Sequence, residues 1–342
     1  MGEAKLKRLR ALESVMPSAV QTAGGRVQVR WETESAATPM GQLAYFIEFL
    51  TLTGLWTRWQ ESYPLVYASP NAPSKAEILG TWTLSILAGH RRYAHVAAIR
   101  CDGVNPGLLG MRKVISEDAL RRALAVTPGI EGVAWLDQHL NESVAALLDA
   151  PWILDIDTTV KPLYGKQEGA VVSYNPKKPG RPSHTYHTYL MAGLRLVVGA
   201  EVRAGNEHSG SPTHDLHRCQ LSARAVALIY NWWSLFVRLA NPQARREAIT
   251  SRPWLMSSVG RKTEHAGQTT ITLTGLHAEF AKARDALMRV SALLQGWTIR
   301  AAEQFNPSTV WSLVCDHLKR VLAAIAPTHA RRALQNHALG AG

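Results

Sequence analysis

The apolar positions in the first half of the chain recur with helical spacing. Residues 42–59 carry such a stripe around Gly54, which predicts one amphipathic helix or a pair of helices. A second stripe follows Ser74, which forms a capping-box pattern with Glu77, and a third helix is predicted to begin after Ser116. Further helices are predicted at residues 133–148, 216–239, 277–294 and 308–324, of which 216–239 is apolar enough to be a core helix.

Shorter apolar segments rich in branched residues predict strands. Residues 152–158 form an apolar run that is typical of a buried strand. Weaker strand patterns cover residues 26–31, 169–174, 187–191, 194–202 and 269–274. Together the patterns predict an α+β chain, in which a helical N-terminal part precedes a sheet of about three antiparallel strands and a helical C-terminal part.

Two carboxylates interrupt the strand predicted at residues 152–158. Asp155 and Asp157 are two positions apart, so their side chains leave a strand on the same face. A carboxylate within a sheet is costly to bury unless it meets a cation or a metal ion. The pair therefore indicates either a metal-binding site or the polar end of a strand at a turn. The spacing alone leaves both readings open.

A basic, proline-rich segment follows this strand. Lys161 and Lys166 come first, and residues 175–184 then carry positive charge without any acid. Three prolines in that segment exclude a helix, so we expect a loop. Carboxylates beside such a loop suggest a site where a metal ion meets a phosphate backbone, although a solvated loop would explain any single lysine. The candidate phosphate-binding residues are Lys161, Lys166, Lys177, Lys178, Arg181 and His184.

The charge of the chain narrows the class of partner. The 342 residues carry a formal net charge of +12. Almost all of the excess lies in residues 151–342, which hold 23 Lys and Arg against 12 acids. Such a balance indicates a polyanionic partner, and charge alone does not distinguish nucleic acid from an anionic membrane.

Other features of the composition favour a reducing cytoplasm. Cys101, Cys219 and Cys315 are far apart and have no paired spacing, so neither a disulfide framework nor a zinc site is predicted. The N-terminal segment lacks the apolar stretch of a signal peptide. The most apolar run, residues 225–240, is too short to span a bilayer, so we expect a buried helix and no membrane contact.

The run LDIDTTVKPLYGKQEGAVVSYNPKKPGRPSH, residues 154–184, resembles the first catalytic block of the bacterial insertion-sequence transposases. These are DDE transposases with an RNase-H-like catalytic core. The resemblance implies that Asp157 is the first carboxylate of a metal-binding triad and that Asp155 is a second-choice ligand. It also implies Mg²⁺ or Mn²⁺ as the cofactor of complete relatives, with weak or no binding expected in this chain, and double-stranded DNA of the transposon ends as the partner.

The same resemblance divides the chain into three regions. Residues 1–150, which contain GHRRYAHV, are similar to the helical N-terminal part that is expected to engage the transposon end. Residues 151–210 correspond to the first half of the RNase-H-like core. Residues 211–342 correspond to a basic, mainly helical C-terminal region.

The resemblance is interrupted at residues 209–212. Residues 200–210 are similar to the end of the third strand region, whereas residues 211–242 are similar to a segment that follows the third catalytic residue. The family carries its second aspartate on a fourth strand and its glutamate on a later helix, and both fall in the missing segment. We therefore expect an internally deleted chain with an open sheet edge and an uncovered apolar face. The acids that could substitute are Glu201, Glu207, Asp215 and Glu247.

Three functions are compatible with the sequence. The first is an insertion-sequence transposase that is catalytically incomplete, because two-metal phosphoryl transfer needs several carboxylates to hold both ions. The second is a non-catalytic DNA-binding remnant that interferes with the intact enzyme. The third is a basic structural or RNA-binding protein. The expected location is the bacterial cytoplasm, in association with the nucleoid, and self-association of the chain is left open.

Overall fold

The computed structural model describes residues 17–32, 35–65, 67, 69, 71–148, 152–164, 169–172, 175, 178–205, 217–244, 246–275, 278–304, 306 and 309–325. These residues form helices together with small antiparallel sheets, which confirms the prediction of an α+β chain.

The helices and strands are numbered in chain order. The helices are α1 (Leu43–Leu52), α2 (Leu55–Glu61), α3 (Lys75–Leu87), α4 (Val96–Ile99), α5 (Asn105–Leu108), α6 (Glu117–Val126), α7 (Gly129–Val144), α8 (His217–Ala240), α9 (Ala248–Leu255), α10 (Phe280–Glu303) and α11 (Thr309–Ile325). The strands are β1 (Ser18–Thr22), β2 (Gly25–Val29), β3 (Ala36–Thr38), β4 (Leu154–Pro162), β5 (Val171–Val172), β6 (Pro182–Met191), β7 (Leu196–Ala204), β8 (Gly260–His265) and β9 (Gln268–Leu273).

The local signals in the first half of the chain are confirmed. Gly54 has a positive φ of 69° and separates α1 from α2, so the predicted stripe is a pair of helices. Ser74 and Glu77 form the capping box at the start of α3, and Ser116 accepts a hydrogen bond from a backbone N–H in the first turn of α6. Helix α7 begins four residues earlier than predicted, at Gly129.

The N-terminal and C-terminal helical regions share one hydrophobic core. Phe46 in α1 packs edge-on against Trp233 and Phe236 in α8, with ring centroids 5.1 Å and 5.3 Å apart. The two regions also share a sheet, because β3 pairs with β8, which in turn pairs with β9. Residues distant in sequence therefore stabilise each other directly.

Helix α8 is the buried helix at the centre of this core. Trp232, Trp233 and Phe236 are each at most 1% exposed, and Trp59 packs edge-on against Trp232 with ring centroids 5.4 Å apart. The prediction of a core helix is confirmed. Because these aromatic rings are enclosed, they are core residues and offer no exposed surface on which a base could stack.

The largest sheet contains β4, β6 and β7 side by side, with all neighbours antiparallel. Strand β6 is in the middle, β4 pairs along one of its sides, and β7 pairs along the other. The two-residue strand β5 extends the β7 side at the beginning of β6. The register places Asp157 opposite Thr188, and Thr188 opposite Ala200 of β7.

Two side-chain amides of α8 bind the outer edge of β7. The amide of Asn231 accepts a hydrogen bond from the N–H of Val197 at 2.8 Å and donates one to its carbonyl at 2.7 Å. The amide of Gln220 makes the same two bonds to Val202. The backbone groups that a further strand would use at these two positions are therefore satisfied by a helix.

The outer edge of β4 has no corresponding cover among the described residues. Strand β4 pairs only with β6 there, and the apolar side chains of residues 152–156 are exposed, with Ile153 at 72% and Ile156 at 61%. The prediction of a buried strand was therefore wrong. Its hydrophobic sequence is the kind that a second neighbouring strand or a covering layer would bury, and the described part of the chain provides neither on this side.

The boundaries of the following strands also differ from the prediction. Strand β6 begins at Pro182, inside the segment predicted as a loop, and β5 is shorter than the strand predicted at residues 169–174, of which residues 173 and 174 lie outside the described part of the chain. Proline is tolerated at the first position of a strand, so the proline-rich pattern did not exclude this arrangement. Within the described ranges, no helix combines the length and apolarity needed to cross a bilayer.

The contact between Asn231 and Val197 is expected to be a major source of stability for the sheet. Asn231→Leu keeps the volume but leaves a buried N–H and carbonyl without partners, so it should lower the free energy of unfolding by about 2–4 kcal/mol. Urea denaturation measures this. Tyr230→Phe, which removes one longer bond of 3.3 Å to the Arg195 carbonyl, is the matched control and should cost about 1 kcal/mol or less. Equal stability of Asn231→Leu and the native chain would contradict the assignment.

Candidate functional site

The two aspartates of β4 project from the same face of the sheet, as the sequence predicted. Both are exposed. One carboxylate oxygen of Asp155 is 3.9 Å from the guanidinium of Arg195, and Asp157 accepts a 3.5 Å hydrogen bond from the hydroxyl of Thr159. Neither contact neutralises the pair strongly, since both are long and open to solvent. The carboxylates are therefore accessible to a solvated cation.

The other acids considered from the sequence do not join this pair. Glu201 lies opposite His187, which lies opposite Thr158, so alternation places Glu201 on the other face of the sheet from Asp157. It forms an ion pair with Arg203 instead, at 2.5 Å.

Glu247 is the residue that precedes the first turn of α9, where its carbonyl accepts the N–H of Ser251. Glu207 and Asp215 lie outside the described residues. In the described part of the chain, no three His, Cys, Asp or Glu side chains come close enough to form a metal-binding group. Asp155 and Asp157 are thus the residues that could hold Mg²⁺ or Mn²⁺ here, through carboxylate oxygens alone.

Lys161 extends the charged row on the same face of β4. It is four residues after Asp157, so alternation again gives the same side, and its ammonium lies 5.3 Å from the ring centroid of Tyr186. Tyr186 is half-buried, and burial together with a hydrogen bond to Cys219 of α8 raises the pKa of its hydroxyl. Helix α8 therefore packs on the face that carries the two aspartates.

A cationic cluster with one exposed aromatic ring lies at the C-terminal end of β4. Tyr164 is 60% exposed, and Lys178 and Arg181 lie over its ring with centroid distances of 5.2 Å and 4.8 Å. The Lys178 ammonium also donates a hydrogen bond to the Tyr164 hydroxyl. We call Tyr164, Lys178 and Arg181 the tyrosine cluster.

The tyrosine cluster is electrostatically polarised. The hydrogen bond from Lys178 lowers the pKa of the Tyr164 hydroxyl, slight burial opposes this, and the positive charges of Lys178 and Arg181 lower it further. The arrangement offers a flat ring and two cations to an anionic, planar ligand. Sequence reasoning selected both cations and missed the tyrosine, although its position within LYGKQ beside the basic segment was an available signal.

His184, another predicted phosphate-binding residue, does not form part of this surface. His184 is 1% exposed and lies within β6, and burial lowers the pKa of its imidazole, with the charge of Lys161 adding to the effect. The sequence placed it on a loop, which was wrong because β6 begins two residues earlier. Lys166 and Lys177 lie outside the described residues.

A second basic segment, HRRY, follows α3. The cation at the C-terminus of α3 is Arg252 of α9, which donates to the carbonyls of Ile86 and Leu87 at 3.1 Å and 3.0 Å. Arg91 and Arg92 are exposed and so are available to an external anion.

No family model, no curated protein and no solved structure matches this chain.

The tyrosine cluster can be tested without any ligand. Lys178→Met removes the hydrogen bond and one charge, so the pKa of Tyr164 should rise toward that of a free tyrosine. Carbon-13 NMR of labelled tyrosine side chains across an alkaline titration measures it, with Tyr164→Phe to assign the resonance. Arg181→Met is the matched control and should raise the pKa less, because Arg181 contributes charge but no hydrogen bond. A Tyr164 pKa unchanged by Lys178→Met would contradict the cluster.

Proposed function

We propose that the protein is a DNA-binding derivative of an insertion-sequence DDE transposase whose catalytic site is incomplete. The observation that supports this most directly is the arrangement on and beside β4. Asp155, Asp157 and Lys161 lie along one exposed strand face, and the tyrosine cluster follows at the end of the same strand. This is the order of acids and bases on which the resemblance to the family rests.

The chemistry of the tyrosine cluster suits a nucleic acid. Each cation can pair with a phosphate, and the exposed ring offers a face to an unstacked base or a sugar. An exposed aromatic ring in contact with two cations is a more specific arrangement than a solvated basic loop. The positive charge of residues 151–342 would add an attraction that does not depend on base sequence.

The order of strands is compatible with the first half of an RNase-H-like sheet. We infer that β4, β6 and β7 correspond to its first three strands, and that the missing fourth strand would pair along the outer edge of β4. The second aspartate would then have been delivered beside Asp157. This explains why β4 exposes apolar side chains such as Ile156 on that side.

The remaining carboxylates limit the reaction. Two-metal phosphoryl transfer requires ligands that fix two ions a few ångströms apart, so that one activates the attacking oxygen and the other stabilises the leaving oxygen. Asp155 and Asp157 could hold a hydrated ion from one side only, since Glu201 lies on the opposite face. We therefore propose DNA binding with little or no strand cleavage.

DNA binding is tested with the double variant Lys178→Ala/Arg181→Ala. It should weaken binding to the element's terminal-repeat DNA by about tenfold or more and reduce the slope of log affinity against log salt by about 1–2, since two phosphate contacts are lost. Fluorescence anisotropy over a salt series measures both.

The matched control is Lys282→Ala/Arg284→Ala, which removes two exposed charges from α10 and should change the affinity by less than about threefold. Equal effects of the two double variants would contradict a specific role for the tyrosine cluster. Equal affinity for terminal-repeat and random DNA would contradict recognition of transposon ends, and tighter binding to RNA would favour the RNA-binding alternative.

Catalytic incompleteness is tested by strand cleavage on transposon-end DNA with Mg²⁺ or Mn²⁺. We expect no product above that of the Asp157→Asn variant, because that substitution should remove nothing that supports turnover. Turnover that Asp157→Asn abolishes would overturn this part of the proposal and would show that another acid completes the site.

A further inference from the structure

The outer edge of β4 presents backbone groups in a defined pattern. The N–H of Leu163 bonds the carbonyl of Pro182, and the N–H of Ala192 bonds the carbonyl of Ile153, both at 2.9 Å. Antiparallel pairing alternates, so the odd-numbered residues of β4 direct their backbone groups toward β6. The N–H and carbonyl groups of Ile156, Thr158 and Val160 therefore point away from β6, and the described part of the chain supplies no partner for them.

The outer edge of β7, on the opposite side of the sheet, follows the same alternation of backbone groups. There α8 covers the edge. The outward groups include those of Val197 and Val202, which the amides of Asn231 and Gln220 bind. One edge of the sheet is thus closed by α8. The other edge, which also carries the exposed apolar side chains, is left able to pair with a strand.

We propose that this edge pairs with the β4 strand of a second copy of the chain. The two strands would run antiparallel about a two-fold axis at Thr158, which forms an isologous interface in which each copy contributes the same surface. The proposal does not depend on DNA binding, because it rests on the backbone edge and on the side chains of one strand.

The side chains of β4 are complementary to themselves in this register. Asp155 of one copy lies opposite Lys161 of the other, so the interface contains two symmetric pairs of opposite charge. Ile156 lies opposite Val160, which covers the strand's most exposed apolar side chain. The outward N–H and carbonyl groups of Ile156, Thr158 and Val160 all find partners, since each falls at a hydrogen-bonded position.

Shifting the two β4 strands relative to each other makes the pairing less favourable. A shift of two residues in one direction brings Asp157 opposite its own copy, where two carboxylates repel each other. A shift of two residues in the other direction brings Ile156 opposite Pro162, which has no N–H to donate and so removes two hydrogen bonds. The register centred on Thr158 avoids the first defect. It places Pro162 opposite Leu154 at the two ends of the paired strands, so the missing N–H lies outside the pairs that Ile156, Thr158 and Val160 form.

Pairing in this way would produce one continuous sheet of six principal strands. The two-fold axis would be perpendicular to the sheet, so the faces that carry Asp157 would lie on the same side in both copies. An edge strand exposed to solvent would become central, as its apolar sequence suits. The interface would thus take the place that a fourth strand occupies in the complete fold.

A charge exchange tests both the interface and its register. Sedimentation velocity of the full-length chain at tens of micromolar should show a dimer, and Asp155→Lys or Lys161→Asp alone should each raise the dimer dissociation constant at least about tenfold, because like charges then face each other twice. The double variant Asp155→Lys/Lys161→Asp should restore the dimer. Circular dichroism confirms that each variant is folded, and Lys282→Asp on α10 is a matched charge control that should remain dimeric.

A cysteine cross-link tests the same register without changing any charged side chain. In a Cys101→Ser background, Thr158→Cys should oxidise to a covalent dimer, since residue 158 faces its own copy. Leu154→Cys should not, because its two copies would be about 27 Å apart along the strands. Three results would overturn the proposal: a chain that is monomeric at these concentrations, a double variant that does not recover the dimer, or equal cross-linking at residues 154 and 158. The first of these is also the result expected if a different protein supplies the pairing strand.

Discussion

The hydrogen bonds between the Asn231 amide and the backbone of Val197 fix the relation between the central helix and the main sheet. Asn231 is a polar residue within the apolar part of α8, and it is fully buried. It is retained there because it satisfies a strand edge that would otherwise be buried without partners. Gln220 makes the same two bonds to Val202, which lies further along β7. Helix α8 in turn packs against α1 through Trp233 and Phe236, so the sheet is attached to the core through β7.

Helix α8 binds the sheet at the β7 edge, and the β4 edge on the opposite side is left exposed. Strand β4 is the most distant of the three long strands from α8, and its side chains are exposed, including the apolar Leu154 and Ile156. Exposure makes the two aspartates, Lys161 and the tyrosine cluster accessible to a ligand. It also leaves a strand edge that the fold does not satisfy by itself. The proposed DNA contacts and the proposed pairing of two copies are therefore separate consequences of one open edge.

Local signals in the sequence predicted the elements better than they predicted burial. Gly54, the capping box at Ser74 and the apolar stripe of α8 gave correct helices, because caps, turns and periodicity act over a few residues. The apolar run at residues 152–156 predicted a strand correctly and its burial wrongly, since burial depends on a neighbouring element that the local sequence does not specify.

In the candidate site, too, the features set by local sequence were predicted and those set by distant residues were not. Alternation placed Asp155 and Asp157 on one face, as expected from their spacing alone. The position of His184 could not be predicted, because β6 starts within a proline-rich segment that reads as a loop. Tyr164 was missed because its role comes from Lys178 and Arg181, which approach it through the fold from more than ten residues away in the chain. The metal-binding role proposed for Asp157 rests on the resemblance to the transposases, because geometry alone does not assign it.

The central claim is that one edge of the main sheet is closed by α8 and the other is open. Residue-resolved hydrogen exchange on the monomeric chain tests it most directly. The backbone N–H groups of Ile156, Thr158 and Val160 should exchange at least about 100-fold faster than those of Val197 and Val202, which the amides of α8 hold. Equal protection of the two sets in the monomer would show that the β4 edge is already paired and would contradict the account.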